Sequence, residues 1–127
     1  MSQRFVVNTP KAPSAIGPYS QAIRTETMVF ASGQLPVDPT TGHIVEGIEA
    51  QTRASLANLS AILEEAGASL ATVTKVTVFL KNISDFAAVN QVYAEHFTEQ
   101  PPARSTIEVA RLPKDALVEI EAIAIRN

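Results

Sequence analysis

Two apolar stripes at helical spacing, set into a chain that otherwise alternates with a period of two, limit the fold more than any other feature. Between Ile48 and Ala66 the stripe runs through Ile48, Leu56, Leu59, Leu63 and Ala66, with the small Thr52 on the same line, at intervals of three and four. Gly67 follows where a left-handed cap residue belongs. Phe86, Val89, Tyr93 and Phe97 make the second stripe, with Ser84 as its expected N-cap and Asp85 in its first turn. Pro101-Pro102 stops any continuation. Each helix has a single apolar face and must lay it on another layer.

Strands supply that layer. Phe5 to Val7 is a candidate first strand, followed by a loop that Pro10 and Pro13 enforce by withholding ladder donors. Tyr19 to Arg24 and Met28 to Ser32 flank the polar Thr25-Glu26-Thr27 as a hairpin. Val73 to Leu80 is rich in β-branched residues, and Arg104 to Arg111 and Leu117 to Ile125 close the chain. The main order, β-β-α-β-α-β-β, predicts an α+β two-layer sandwich: a single mixed β-sheet with two helices packed on one face. No repeat or linker interrupts residues 1–127, which read as one domain. A chain of 127 residues buries roughly two thirds of its unfolded surface and needs no staple. Cysteine is absent, which excludes disulfides, thiolate zinc sites and a cysteine nucleophile. The net charge is −3 and the ten basic residues are scattered, which argues against a nucleic-acid partner. No apolar run approaches the roughly 20 residues of a membrane span and no apolar signal core opens the chain, so a cytoplasmic protein without a membrane partner is expected.

The sheet face away from the helices is mixed. Alternation puts Arg104, Thr106 and Glu108 on one side of their strand, and joins Glu119 and Glu121 to Ile123 and Ile125 on one side of the last. Reading Arg104 and Glu119 onto the same mixed surface predicts packing against another copy in a symmetric homo-oligomer. Arg104 follows the Pro-Pro loop on a rigid strand and offers a planar fork for a carboxylate; an ion pair with a nearby glutamate is the alternative. Of the carboxylate pair, Glu119 or Glu121 can serve as a general acid or base if crowding or burial raises its pKa, or either can pair with Arg104, Arg111 or Arg126. Tyr19, delivered by the Ile16-Gly17-Pro18 turn, can wall a small pocket, and Ser32-Gly33 lets backbone approach a ligand. His43 and His96 stand apart without carboxylates at metal-ligand spacing, and no phosphate loop or dinucleotide fingerprint occurs. No metal site and no cofactor are therefore expected.

Several segments together resemble the RidA (YjgF) family of reactive intermediate deaminases. They are Ala15-Ile16-Gly17-Pro18-Tyr19-Ser20-Gln21-Ala22, Ala31-Ser32-Gly33-Gln34-Leu35-Pro36, Val73 to Phe86, Pro102-Ala103-Arg104-Ser105, Glu108 to Asp115, and Val118 to Ala124, nearly the whole chain. The resemblance implies a chorismate-mutase-like fold and a homotrimer with sites in clefts between subunits. It implies hydrolysis of 2-iminobutanoate and 2-iminopropanoate, released by pyridoxal-phosphate enzymes, to 2-oxo acids and ammonia. By motif position, Arg104 would grip the substrate carboxylate and Glu119 would position or activate water. Tyr19, Ser32, Gly33 and Asn90 would line the pocket, and Thr106, where some members carry cysteine, would add backbone contacts. The segment Phe97 to Pro102 is shorter than in some relatives, which bears on the cleft rim. The other readings are a non-catalytic small-molecule or partner-binding module on the same fold, and a ribonuclease or translation inhibitor.

Overall fold

The computed structural model describes residues 3–127. Strands β1 (Phe5–Val7), β2 (Ala22–Arg24) and β3 (Met28–Gln34) precede helix α1 (Ile48–Glu65). Strand β4 (Val73–Leu80), helix α2 (Phe86–His96), β5 (Ala103–Glu108) and β6 (Val118–Ile125) complete the chain. The six strands form one mixed sheet in the order β1-β2-β3-β6-β4-β5. All neighbours are antiparallel except β4 and β5, which run parallel because α2 carries the chain back between them. The last strand is thus inserted at the centre, and β5 lies at an edge.

Both helices pack on one face, as their single stripes require. Leu56, Leu59, Ile62 and Leu63 of α1 are fully buried against Val29, Val76, Val78 and Ile120 of the sheet. Each such side chain contributes about 1.5–3 kcal/mol of hydrophobic stabilisation. In β6, Val118, Ile120, Ala122 and Ala124 enter this core while Glu119, Glu121, Ile123 and Ile125 face away, the alternation that the sequence implies. Gly67 takes a φ of 85° just beyond α1, where a side chain would strain the cap.

Strand ends shift from expectation by one or two residues in β3, β5 and β6, and three further differences have a clear physical reason. The strand expected over Tyr19 to Arg24 begins only at Ala22, because Tyr19 belongs to a tight turn in which its N–H donates to the Gly17 carbonyl at 2.9 Å. The strand expected to reach Arg111 ends at Glu108, since β4, its only partner, ends at Leu80. Ser84 is not the N-cap of α2. It sits inside a single 3-10 turn over Ile83–Asp85, and Asp85 precedes the helix without a side-chain cap. Among the described residues no helix is long and apolar enough to cross a membrane.

Candidate active site

Arg104 is the second residue of β5, and its side chain folds onto α2 rather than onto the outer face of the sheet. Its guanidinium carbon lies 4.7 Å from the centre of the Tyr93 ring and 5.5 Å from that of Phe86. Two rings beneath one cation hold it in place by roughly 0.5–2 kcal/mol per contact. The alternative of an ion pair is not realised: the one salt bridge among the described residues joins Arg53 to Glu95 on the surface. Glu108 of β5 is engaged elsewhere, accepting the Ile83 N–H at 2.8 Å. Half-buried and unpaired, the Arg104 fork is ready for an external anion.

Its surroundings are polar and also unspent. The hydroxyls of Tyr93 and Thr106 are buried without a hydrogen-bond partner among the described residues. A buried hydroxyl left this way costs about 1–3 kcal/mol, so such groups await a ligand or water. Burial pushes the Tyr93 hydroxyl pKa up, against the opposing pull of Arg104, so it stays a neutral donor. Asn90 is half-buried one turn after Phe86, on the same stripe of α2.

A second cluster lies across the sheet. The Glu119 carboxylate stands against the bare backbone of Gly33: a Cβ added there would meet Glu119 Oε2 at 2.5 Å. Burial raises the Glu119 pKa and the nearby Glu121 charge adds to the rise, as a group that takes and returns protons requires. Gly33 also borders an open cleft of about 290 Å³ walled by Ile16, Tyr19, Leu35, Val37 and Lys114. The Ser32 hydroxyl donates to the Ser20 carbonyl at 2.6 Å, so it ties the Tyr19 turn to β3. Buried Gln21 fixes the preceding loop, accepting the Thr9 N–H at 2.7 Å and donating to the Pro13 carbonyl at 2.8 Å.

The two clusters are on opposite faces of one chain, which corrects the expectation that Arg104 and Glu119 share a surface. Phe79 pairs with both Ile107 and Glu119, so those residues share the outer face. Arg104 pairs with Val76, which in turn pairs with core-facing Ala122. Each strand's alternation was readable, but the parallel register of β5 on β4 was not, and it decides the matter.

Residues 9–126 match the family described as endoribonuclease L-PSP. The chain belongs to the RidA (YjgF) family. A RutC family protein of Pyrococcus abyssi is 57% identical over 123 residues, spanning 96% of this chain and 97% of that protein. A protein of Salmonella typhimurium named 2-iminobutanoate/2-iminopropanoate deaminase is 53% identical over 124 residues, 95% of this chain and 97% of its own. The crystal structure of Escherichia coli TdcF with bound serine superposes with a TM-score of 0.94 at 47% identity, covering 97% of this chain and 99% of that one.

Against the RidA expectations, the structure puts Tyr19 and Gly33 on the cleft, Glu119 against Gly33 and Ser32 bonded to Ser20, whereas Asn90, Arg104 and Thr106 lie on the helix side of the sheet. Sequence reasoning missed Phe86 and Tyr93 as the platform for Arg104, having read them only as core. Their seven-residue spacing, two helical turns with Asn90 between, was the available signal. It also missed Lys114 on the cleft wall.

Proposed function

We propose that this RidA-family chain hydrolyses small 2-imino acids such as 2-iminobutanoate and 2-iminopropanoate to 2-oxo acids and ammonia. The observation that carries the reading is the unpaired guanidinium of Arg104, stacked on Tyr93 and Phe86 beside two unsatisfied hydroxyls. The substrate carboxylate meets this fork through charge-assisted hydrogen bonds of about 1.5–3 kcal/mol each. Water held by Glu119 adds to the iminium carbon: the C–O bond forms, the C=N π pair moves to nitrogen, and a water proton passes to Glu119. The carbinolamine then collapses. Glu119 returns its proton to the amine, the C–N bond breaks, and the remaining hydroxyl proton is lost as the carbonyl forms. Orientation and one general base suffice, since protonated imines are already electrophilic.

A lone copy cannot do this, because its fork and its base lie on opposite faces. A head-to-tail ring, in which the β5 and α2 edge of one copy meets the Gly33 and Glu119 surface of the next, completes every site. The family resemblance favours a ring of three, a homotrimer. Phe30, Ile107 and Ile125, each 45–48% exposed on the outer face, supply apolar surface for the contact.

The test couples threonine dehydratase, which releases 2-iminobutanoate, to 2-oxobutanoate formation with semicarbazide present as a competing trap. The protein is expected to lower the trapped fraction; an unchanged fraction overturns the reading. Retained 2-oxobutanoate binding with no rate effect would instead mark a binding module. Cleavage of RNA by the pure protein is not expected of a chain with net charge −3 and no basic track.

A further inference from the structure

Lys114 is the only charged residue among those lining the cleft beside Tyr19 and Gly33. It has no ion-pair partner among the described residues. Its backbone is also unusual. Lys114 and Asp115 are consecutive non-glycine residues at φ 59° and 55°, in the left-handed region that costs each about 1 kcal/mol or more.

The flanking structure imposes this turn. Leu112 and Ala116 are buried on either side, the Ala116 N–H donates to the Pro113 carbonyl at 3.2 Å, and the buried Gln51 side chain accepts the Leu117 N–H at 2.8 Å. The result sets Lys114, an exposed residue, on the wall of a cleft otherwise lined largely by Ile16, Leu35, Val37 and prolines. Five residues later the same segment delivers Glu119 to Gly33. Lys114 and Glu119 therefore share one half of the site, while the Arg104 fork belongs to the other.

We propose that Lys114 forms a distal anion subsite, so that the site also takes 2-imino dicarboxylic acids such as 2-iminoglutarate and holds them more tightly than monocarboxylic acids of equal chain length. The inference rests on the imine-deaminase reading. With the α-carboxylate on Arg104 and the C=N carbon beside Glu119, the side chain of the substrate runs along the aliphatic wall and its second carboxylate meets the ammonium. The class of reaction that supplies such substrates is the oxidation of acidic amino acids at their α-carbon.

The stable 2-oxo acids serve as probes. Calorimetric titration of the assembled protein compares 2-oxoglutarate with 2-oxopentanoate at low and moderate salt. The dicarboxylic acid is expected to bind about tenfold more tightly, the worth of one charge-assisted contact, with the margin narrowing as salt rises. Lys114→Met is expected to bring the ratio to about one and Lys114→Arg to preserve it. Lys114→Gly should lose the margin and raise the melting temperature, because glycine adopts this backbone freely. A ratio near one in the parent, or an undiminished ratio in Lys114→Met, overturns the proposal while leaving the deaminase reading standing. Failure of both acids to bind overturns the deaminase reading itself.

Discussion

Glu119 occupies the space that a side chain at Gly33 would need: its Oε2 lies 2.5 Å from where a Cβ would stand. The glycine is there to admit a carboxylate. Gly33→Ala pushes that carboxylate aside, and because the displaced atoms are the end of a flexible side chain, the fold survives. Activity is expected to fall about 10²-fold, the cost of misplacing a catalytic group by roughly 1 Å. Thermal unfolding should stay near the parent's, and steady-state rates in the coupled dehydratase assay read the loss.

Arg104→Ala removes the fork with no ion pair to break. Losing one or two charge-assisted bonds is expected to lower kcat/KM by roughly 10–10⁴-fold. Stability should change by about 1–4 kcal/mol at most, the combined scale of its two contacts with Tyr93 and Phe86. Denaturant melts and native mass on the same preparation separate this outcome from unfolding.

The pH profile follows from Glu119. Burial first, then Glu121, raises its pKa, so the acid limb of kcat/KM should lie above the ordinary carboxylate range. Glu121→Gln removes the repulsion and is expected to move that limb to lower pH. Stability has the opposite sense. A carboxyl that holds its proton more tightly when folded makes the fold less stable as pH rises from the unfolded value through the raised one. Glu119→Gln is therefore expected to be inactive yet more stable than the parent above that window, which melts across pH would show.

Light scattering should give three times the 13.6 kDa of one chain. Phe30→Asp places a charge on the outer face opposite Ile123, and is expected to yield folded single chains without turnover. A folded, active monomer would contradict the shared site.

Much of this was legible beforehand. The stripe from Leu56 to Ala66 and the alternation from Val118 to Ile125 each record which side of an element is buried, because burial acts on every second or every third and fourth residue. Tyr19 and Gly33 line one cleft, and Glu119 stands against Gly33. The pairing of β5 was hidden: Arg104 alternates identically whether its strand lies parallel to β4 or elsewhere, so its face depends on a register that no local pattern encodes. The platform was hidden too, since Phe86 and Tyr93 obey the same spacing whether they support a cation or fill a core. Lys114 escaped notice because a left-handed backbone at a non-glycine residue is imposed from outside, by Leu112, Ala116 and Gln51, not by the residue itself.

Housing the fork and the base on opposite sides of a single sheet has a genetic corollary. On the proposed ring of three, chains carrying Arg104→Ala and chains carrying Glu119→Gln are each expected to be inert alone, yet every mixed ring would hold one junction that unites an intact arginine with an intact glutamate. Two defective alleles expressed together would therefore rescue one another, and a cell bearing both would keep a fraction of the activity that either mutation abolishes by itself.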